Sequence, residues 1–82
     1  MVTVAFNEQF KRVFSRIKDN AVKERIEKLL IKIKENPKIG KPMMYERKGT
    51  REVYAGSFRL SYAYLINEDK IIILNLYHKD EQ

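Results

Sequence analysis

The 82-residue chain contains no cysteine, no tryptophan and a single histidine. Without cysteine it can form neither disulfides nor thiolate metal sites, and one histidine cannot supply a histidine-rich metal site. We therefore expect no structural zinc or other bound metal, and no cofactor. Chemistry at a site in this chain has to come from its carboxylates, cations, hydroxyls and that one imidazole.

Long hydrophobic runs are also absent. The longest lies around Ile71–Leu74, far short of the roughly 20 apolar residues that span a bilayer. The first residues lack the basic segment followed by an apolar stretch that marks a secretory signal. We expect a soluble cytoplasmic protein that has no membrane partner.

What the chain does contain is apolar and basic. Hydrophobic residues make up 44% of it, including five Tyr and four Phe, which is typical of a folded protein. Its length suits one core, so residues 1–82 are predicted to form one domain. With 17 Lys and Arg against 11 Asp and Glu, the net charge is +6. Such a charge fits a partner that is a phosphate, a nucleic acid, an acidic protein or an anionic membrane surface, without choosing among them.

Two periodicities divide the chain. Residues Val2–Phe6 alternate as a short strand, and apolar residues then recur with helical spacing over Glu8–Lys18 and again from Asp19 until Asn36-Pro37 ends the pattern. Helices joined so closely should form an antiparallel hairpin. After a loop at Lys38–Pro42 the period becomes two, which predicts strands at Met43–Glu46, Arg51–Ala55, Phe58–Ile66 and Lys70–His78.

The expected fold class is therefore α+β. A short N-terminal strand and an antiparallel two-helix hairpin pack on one face of a twisted antiparallel sheet of three to four further strands. On the strand after Gly56-Ser57, alternation places Phe58, Leu60 and Tyr62 toward the helices. In the last strand, alternation puts Asn75, Tyr77 and Lys79 on the same side as Ile71 and Ile73. The open face of the sheet is predicted to carry Arg51, Arg59, Asn75, Tyr77 and Lys79.

Two segments carry a resemblance to a known family. From Gly49 to Tyr62 the chain reads Gly-Thr-Arg-Glu-Val-Tyr-Ala-Gly-Ser-Phe-Arg-Leu-Ser-Tyr, and from Leu76 it reads Leu-Tyr-His-Lys-Asp. Together with the order strand, helical hairpin, sheet, these segments make nearly the whole chain resemble the RelE/ParE toxin superfamily. The most specific part is a succession of three features: a basic residue near the start of one strand, Gly-x-aromatic-Arg-aliphatic-x-Tyr on the next, and an aliphatic strand that ends in a basic cluster.

The resemblance implies a RelE-like toxin of a type II toxin–antitoxin module. Such a toxin is a ribosome-dependent, metal-free endoribonuclease that cuts mRNA in the ribosomal A site and inhibits translation. The implied partners are the ribosome, mRNA and a cognate antitoxin protein, in a toxin–antitoxin hetero-oligomer. Ile73, Leu76 and Tyr77 near an unpaired sheet edge would gain from a strand or helix of that partner.

The resemblance also implies site residues. Arg59 matches the arginine that holds the scissile phosphate and stabilises the transition state in the ribonuclease branch. Arg51 falls near the basic pair on the preceding strand, with Lys48 as its competitor. Lys79 aligns with the arginine of the C-terminal basic cluster, directly after His78.

The chemistry of metal-free RNA cleavage can be matched to the same residues. It needs a base for the 2′-hydroxyl proton, an acid for the leaving 5′-oxygen, and cations that offset charge on the phosphorane. Arg51, Arg59 and Lys79 are the candidate cations. Histidine exchanges protons most readily near neutral pH, so His78 is the candidate for proton transfer, although alternation can turn it away from the arginines. Tyr77 could stack on a base or transfer a proton, and Lys48 could contact RNA.

Alternatives remain open at this point. Arg59 could be an ordinary strand arginine paired with Glu52. Many relatives continue to a tyrosine that is important for RNA cleavage, and this tyrosine has no counterpart before Gln82. A noncatalytic RelE-fold protein that binds an antitoxin or RNA is therefore an alternative, as is a ParE-like inhibitor of DNA gyrase.

Overall fold

The computed structural model describes residues 2–43 and 49–79. Its elements follow the predicted order: β1 (Thr3–Phe6), α1 (Glu8–Arg16), α2 (Asn20–Glu35), β2 (Lys41–Pro42), β3 (Thr50–Ala55), β4 (Phe58–Leu65) and β5 (Lys70–His78), with a 3-10 turn at Ile66–Glu68 before β5. The five strands form one sheet in the order β1-β5-β4-β3-β2. The α+β fold class predicted from the sequence is thereby confirmed.

Both helices begin at side chains that cap them. The Gln9 N–H donates to the Asn7 carboxamide oxygen (3.2 Å), and the Ala21 N–H donates to the Asp19 carboxylate (2.9 Å). The first helix ends at Arg16, two residues earlier than predicted, because Ile17 is already extended. Within the described residues, neither helix has the length and apolar character needed to cross a bilayer.

The sheet is mixed, because β1 pairs with β5 in parallel while the other neighbours are antiparallel. This pairing ends where Phe6 meets Ile73. Among the described residues, the part of β5 beyond Ile73 therefore has a strand neighbour only on its β4 side. The unpaired sheet edge predicted near Ile73, Leu76 and Tyr77 is present at Leu76 and Tyr77, whereas Ile73 is paired with β1.

The segment predicted as a loop at Lys38–Pro42 contains a strand. Lys41 and Pro42 form β2 and pair with Glu52 and Arg51 of β3. A proline is tolerated there because β2 is an edge strand, where a missing backbone donor costs little. The strand predicted at Met43–Glu46 falls largely on residues 44–46, outside the described part of the chain, and the Met43 N–H donates to the Thr50 carbonyl (2.9 Å).

A bulge interrupts the pairing of β4 with β5. Ser61 lies opposite Asn75 and Tyr62 opposite Ile73, so Leu74 is the extra residue. The bulge reverses the alternation of β5, with the result that Ile73 and Leu76 are both buried. The prediction that Ile71 and Ile73 share a face with Asn75 and Tyr77 is therefore wrong.

The core lies between the helices and the face of the sheet that they cover. Helix α1 packs mainly against β5, and α2 contacts β3. The buried apolar side chains are Phe10, Ile26, Ile33, Ala55, Leu60, Tyr62, Ile71, Ile73 and Leu76. The opposite face of the sheet, called here the open face, is left available for a ligand or partner.

Candidate functional site

Three charged or polar side chains converge on the open face. Arg59 Nη1 lies 3.7 Å from the Glu52 carboxylate, and the Tyr77 hydroxyl donates a hydrogen bond to the other oxygen of that carboxylate. We call these three residues the Glu52 cluster. Cross-strand pairing explains how they meet, because Arg59 lies directly opposite Tyr77 on one side and Tyr54 on the other. The Arg59 guanidinium also stands 4.9 Å from the centre of the Tyr54 ring.

Glu52 is the centre of this cluster. It is only 5% exposed and is the one buried charged or polar residue among those described. A carboxylate at such a depth is costly unless it is paired and hydrogen-bonded, and Arg59 and Tyr77 supply both interactions. Arg59 itself keeps 29% of its side chain exposed. The cluster is thus a buried carboxylate beneath a partly accessible guanidinium and a phenol.

Sequence reasoning named Glu52 only as a possible partner of Arg59. The signal that identifies it is the hairpin turn at Gly56-Ser57. A two-residue turn pairs Ala55 with Phe58, which fixes Tyr54 opposite Arg59 and puts Glu52 on the same face as that arginine.

Arg51 does not lie on the open face, so the prediction that placed it there is wrong. It pairs with Tyr62 in the register of β3 and β4, and Tyr62 faces the helices. Arg51 Nη1 donates to the carbonyls of Gly40 (2.8 Å) and Lys38 (3.2 Å). These bonds attach the loop after α2 to the sheet, which is a structural role.

Tyr62 also makes hydrogen bonds to this loop, from the core side of the sheet. Its hydroxyl donates to the Pro37 carbonyl (2.7 Å) and accepts from the Gly40 N–H (2.9 Å). Burial raises the pKa of the Tyr62 hydroxyl, while the Gly40 hydrogen bond and the nearby Arg51 charge act in the opposite direction. A side chain at residue 40 would begin 2.7 Å from the Tyr62 hydroxyl, so glycine is required for this approach.

The other predicted residues are dispersed. His78 lies opposite Phe58 in the sheet, and its ring meets the Phe58 ring edge to face at 5.5 Å, on the face away from Arg59. Lys79 is exposed directly after β5, where its N–H donates to the Ser57 carbonyl (2.8 Å). Lys48 lies outside the described residues. Of the predicted site residues, the structure brings together Arg59 and Tyr77.

This arrangement offers three chemical capacities at one place. A carboxylate can accept a proton, a guanidinium can offset negative charge, and a phenol can donate a hydrogen bond or a proton. Charges of opposite sign cancel between Glu52 and Arg59. No group of three or more His, Asp or Glu side chains in residues 2–43 and 49–79 is arranged to hold a metal ion.

Solved structures with the same fold come from toxin–antitoxin systems. The chain matches the RelBE2 complex of Mycobacterium tuberculosis with a TM-score of 0.83 and 23% identity, over 94% of this chain and 96% of that one. It matches the intact E. coli RelBE complex with a TM-score of 0.80 and 16% identity, over 95% and 96%. For the YoeB/ParE toxin of Agrobacterium tumefaciens the values are 0.83 and 13%, over 94% and 98%.

Sequence comparison gives the family itself. No curated protein matches the chain. A family model described as the ParE toxin of the type II toxin–antitoxin system, parDE, matches residues 1–82, which is the whole sequence. The chain is therefore a member of the RelE/ParE family of type II toxins.

Proposed function

We propose that this toxin inhibits translation by cleaving mRNA on the ribosome without a metal ion, and that the Glu52 cluster is its reacting site. The observation that carries the proposal is the convergence of a carboxylate, a guanidinium and a phenol on the open face. This set supplies a base, a cation and a proton donor, which are the groups that metal-free RNA cleavage requires. Glu52 and Tyr77 take the proton-transfer role for which the sequence had suggested His78.

The roles follow from the chemistry of each group. The Glu52 carboxylate accepts the proton of the 2′-hydroxyl as the 2′-oxygen attacks the phosphorus. Arg59 offsets the charge that develops on the phosphorane. The Tyr77 hydroxyl gives its proton to the 5′-oxygen as the bond from phosphorus to that oxygen breaks. The products are a 2′,3′-cyclic phosphate and a free 5′-hydroxyl.

Substrate has to open the cluster before it reacts. The Arg59–Glu52 contact is long for an ion pair and Arg59 is partly exposed, but Glu52 is buried, so the substrate has to offset the cost of leaving that carboxylate without its cation. A phosphate offers the guanidinium shorter, bidentate hydrogen bonds. RNA can therefore draw Arg59 away from Glu52 and uncover the carboxylate in the same movement.

The test is primer extension on a reporter mRNA in a cell-free translation system, with and without ribosomes. Wild type should produce ribosome-dependent cuts, while Arg59→Ala and Glu52→Gln should each reduce cutting at least about 100-fold, as expected when a catalytic charge or a general base is removed. Arg16→Ala is the matched control, since Arg16 is exposed at the end of α1. Circular dichroism verifies that each variant is folded.

Intact mRNA with folded wild-type protein would contradict the proposal. The alternatives are then a noncatalytic toxin or a gyrase inhibitor. The observation that favours them is that Glu52 neutralises Arg59 while Arg51 lies on the other face of the sheet. A noncatalytic toxin, or one that inhibits DNA gyrase as ParE does, needs no cationic centre there. A supercoiling assay with purified gyrase separates these two, because only the gyrase inhibitor would stop supercoiling.

We also propose that the toxin pairs with an antitoxin. Structural neighbours from E. coli and M. tuberculosis are toxin–antitoxin complexes. In the described chain, β5 beyond Ile73 lacks a strand neighbour on its β1 side, which gives a partner strand a place to add. The net charge of +6 favours a partner that is acidic.

A further inference from the structure

A depression of about 220 Å³ lies on the open face beside the Glu52 cluster. Its lining residues are Met43, Thr50, Ser61, Leu74, Asn75 and Tyr77. None of these side chains is charged, in contrast to the neighbouring cluster. Apolar walls with a few polar groups are typical of sites that bind a neutral heterocycle.

The bulge in β5 builds this depression. Successive residues of a regular strand point to opposite faces, so Leu74 and Asn75 could not both line one hollow in an unbroken strand. Because Leu74 is the extra residue at the bulge, both do. Bulges occur frequently beside active sites, where they redirect a side chain.

The amide of Asn75 is held in one orientation. Its carbonyl oxygen accepts from the backbone N–H of Leu76 at 2.8 Å. Since that N–H is a donor, the carbonyl oxygen has to face it, and the NH₂ group makes no hydrogen bond to the residues that the structure describes, 2–43 and 49–79. Asn75 therefore presents donors at the depression.

Tyr77 belongs to both sites. Its ring lines the depression while its hydroxyl donates to Glu52. Ser61 and Asn75 form the cross-strand pair that lies two residues along the sheet from the pair Arg59 and Tyr77. Two residues of a strand span about 7 Å, so a ligand in the depression is adjacent to one at Arg59.

We propose that the depression is a nucleobase subsite, which binds a base of the RNA next to the phosphate held by Arg59. The Tyr77 ring and Leu74 give the base apolar walls, and an aromatic wall suits the face of any base. The Asn75 NH₂ donates to an acceptor on the edge of the base. Asn75 is then a specificity-determining residue that selects bases presenting an acceptor there. This inference rests on the proposed cleavage of RNA.

A binding experiment tests the subsite without relying on cleavage. The four ribonucleoside 3′-monophosphates are titrated into the protein, and the side-chain NH₂ signals of Asn75 are followed by NMR. These signals should move with at least one nucleotide, to an extent that depends on the base, and stay in place with inorganic phosphate. Asn67, in the exposed turn before β5, is the internal control. Signals that never move, or that move equally with phosphate, overturn the subsite.

Mapping of cleavage sites gives the second measurement. Asn75→Asp keeps an acceptor for the Leu76 N–H but replaces the two outward donors with an acceptor. The ratio of preferred to other bases at the cut should fall about fivefold, which is the effect of one hydrogen bond, while Asn67→Asp leaves it unchanged. An unchanged ratio in Asn75→Asp overturns the subsite. Base-dependent NMR shifts with no cutting by wild type would support the subsite and reject the ribonuclease function.

Discussion

Replacing Tyr62 by phenylalanine tests how the sheet holds the loop that follows α2. The Tyr62 side chain is fully buried, and its hydroxyl bridges the Pro37 carbonyl and the Gly40 N–H. Phenylalanine keeps the ring and removes the bridge. The variant therefore isolates the two hydrogen bonds from the packing of the ring.

The expected loss of stability follows from the groups left behind. A buried donor or acceptor that loses its partner costs about 1 to 3 kcal/mol, and Tyr62→Phe leaves one of each. Water can reach part of the loop, so we expect a total of about 2 to 4 kcal/mol. A domain of this length has a free energy of unfolding of about 4 to 12 kcal/mol. At about 4 to 8 °C per kcal/mol, the melting temperature should fall by roughly 8 to 32 °C.

Urea unfolding followed by far-ultraviolet circular dichroism measures this loss, since the chain has no tryptophan to report by fluorescence. Tyr64→Phe is the matched control, because it removes a phenol hydroxyl from the same strand at a half-buried position. We expect that control to change the free energy of unfolding by less than about 0.5 kcal/mol. Equal losses in the two variants would refute the bridge.

Two further predictions concern pH and the partner. Burial raises the pKa of Tyr62 in the folded protein, so its contribution to stability is complete below the ordinary tyrosine value near 10 and is lost as pH rises through the folded-state pKa. Urea titrations at alkaline pH should show wild type losing free energy of unfolding more steeply than Tyr62→Phe, and parallel curves would contradict this. For the proposed antitoxin, hydrogen exchange at amides 74–78 of β5 should slow when a candidate acidic partner protein that binds the toxin is added, and binding with no change there would reject strand addition at this edge.

The helices and the antiparallel succession of β3, β4 and β5 could be predicted because their signals are local. Asn7 and Asp19 cap helices whose apolar spacing is visible in the sequence, and Asn36-Pro37 ends the second. The parallel pairing of β1 with β5 joins residues almost 70 positions apart, and no local pattern encodes it. The edge strand at Lys41-Pro42 was missed for a related reason, since its pairing with β3 outweighs the turn preference of Pro42.

The bulge limits what alternation can predict about the site. It reverses the faces of β5 at Leu74, and a sequence with apolar residues at every position from Ile71 to Leu74 gives no sign of where a reversal falls. Alternation alone consequently placed Ile71 and Ile73 with Tyr77, whereas the structure buries both against the helices.

The sequence alone contains enough information to place Arg51 and Arg59 on opposite faces of the sheet. Alternation within each strand predicted both residues on the open face. The two-residue turn at Gly56-Ser57, however, already fixes which residues of β3 and β4 lie opposite each other. Pairing across that turn puts Arg51 opposite Tyr62, which is a core residue, and so excludes it from the face of Arg59. The same register brings Glu52 to Arg59. The candidate site, which the sequence suggested to be a cluster of cations, is therefore the Glu52 carboxylate paired with the single guanidinium of Arg59. Its proposed chemistry depends on a substrate phosphate that separates Arg59 from Glu52.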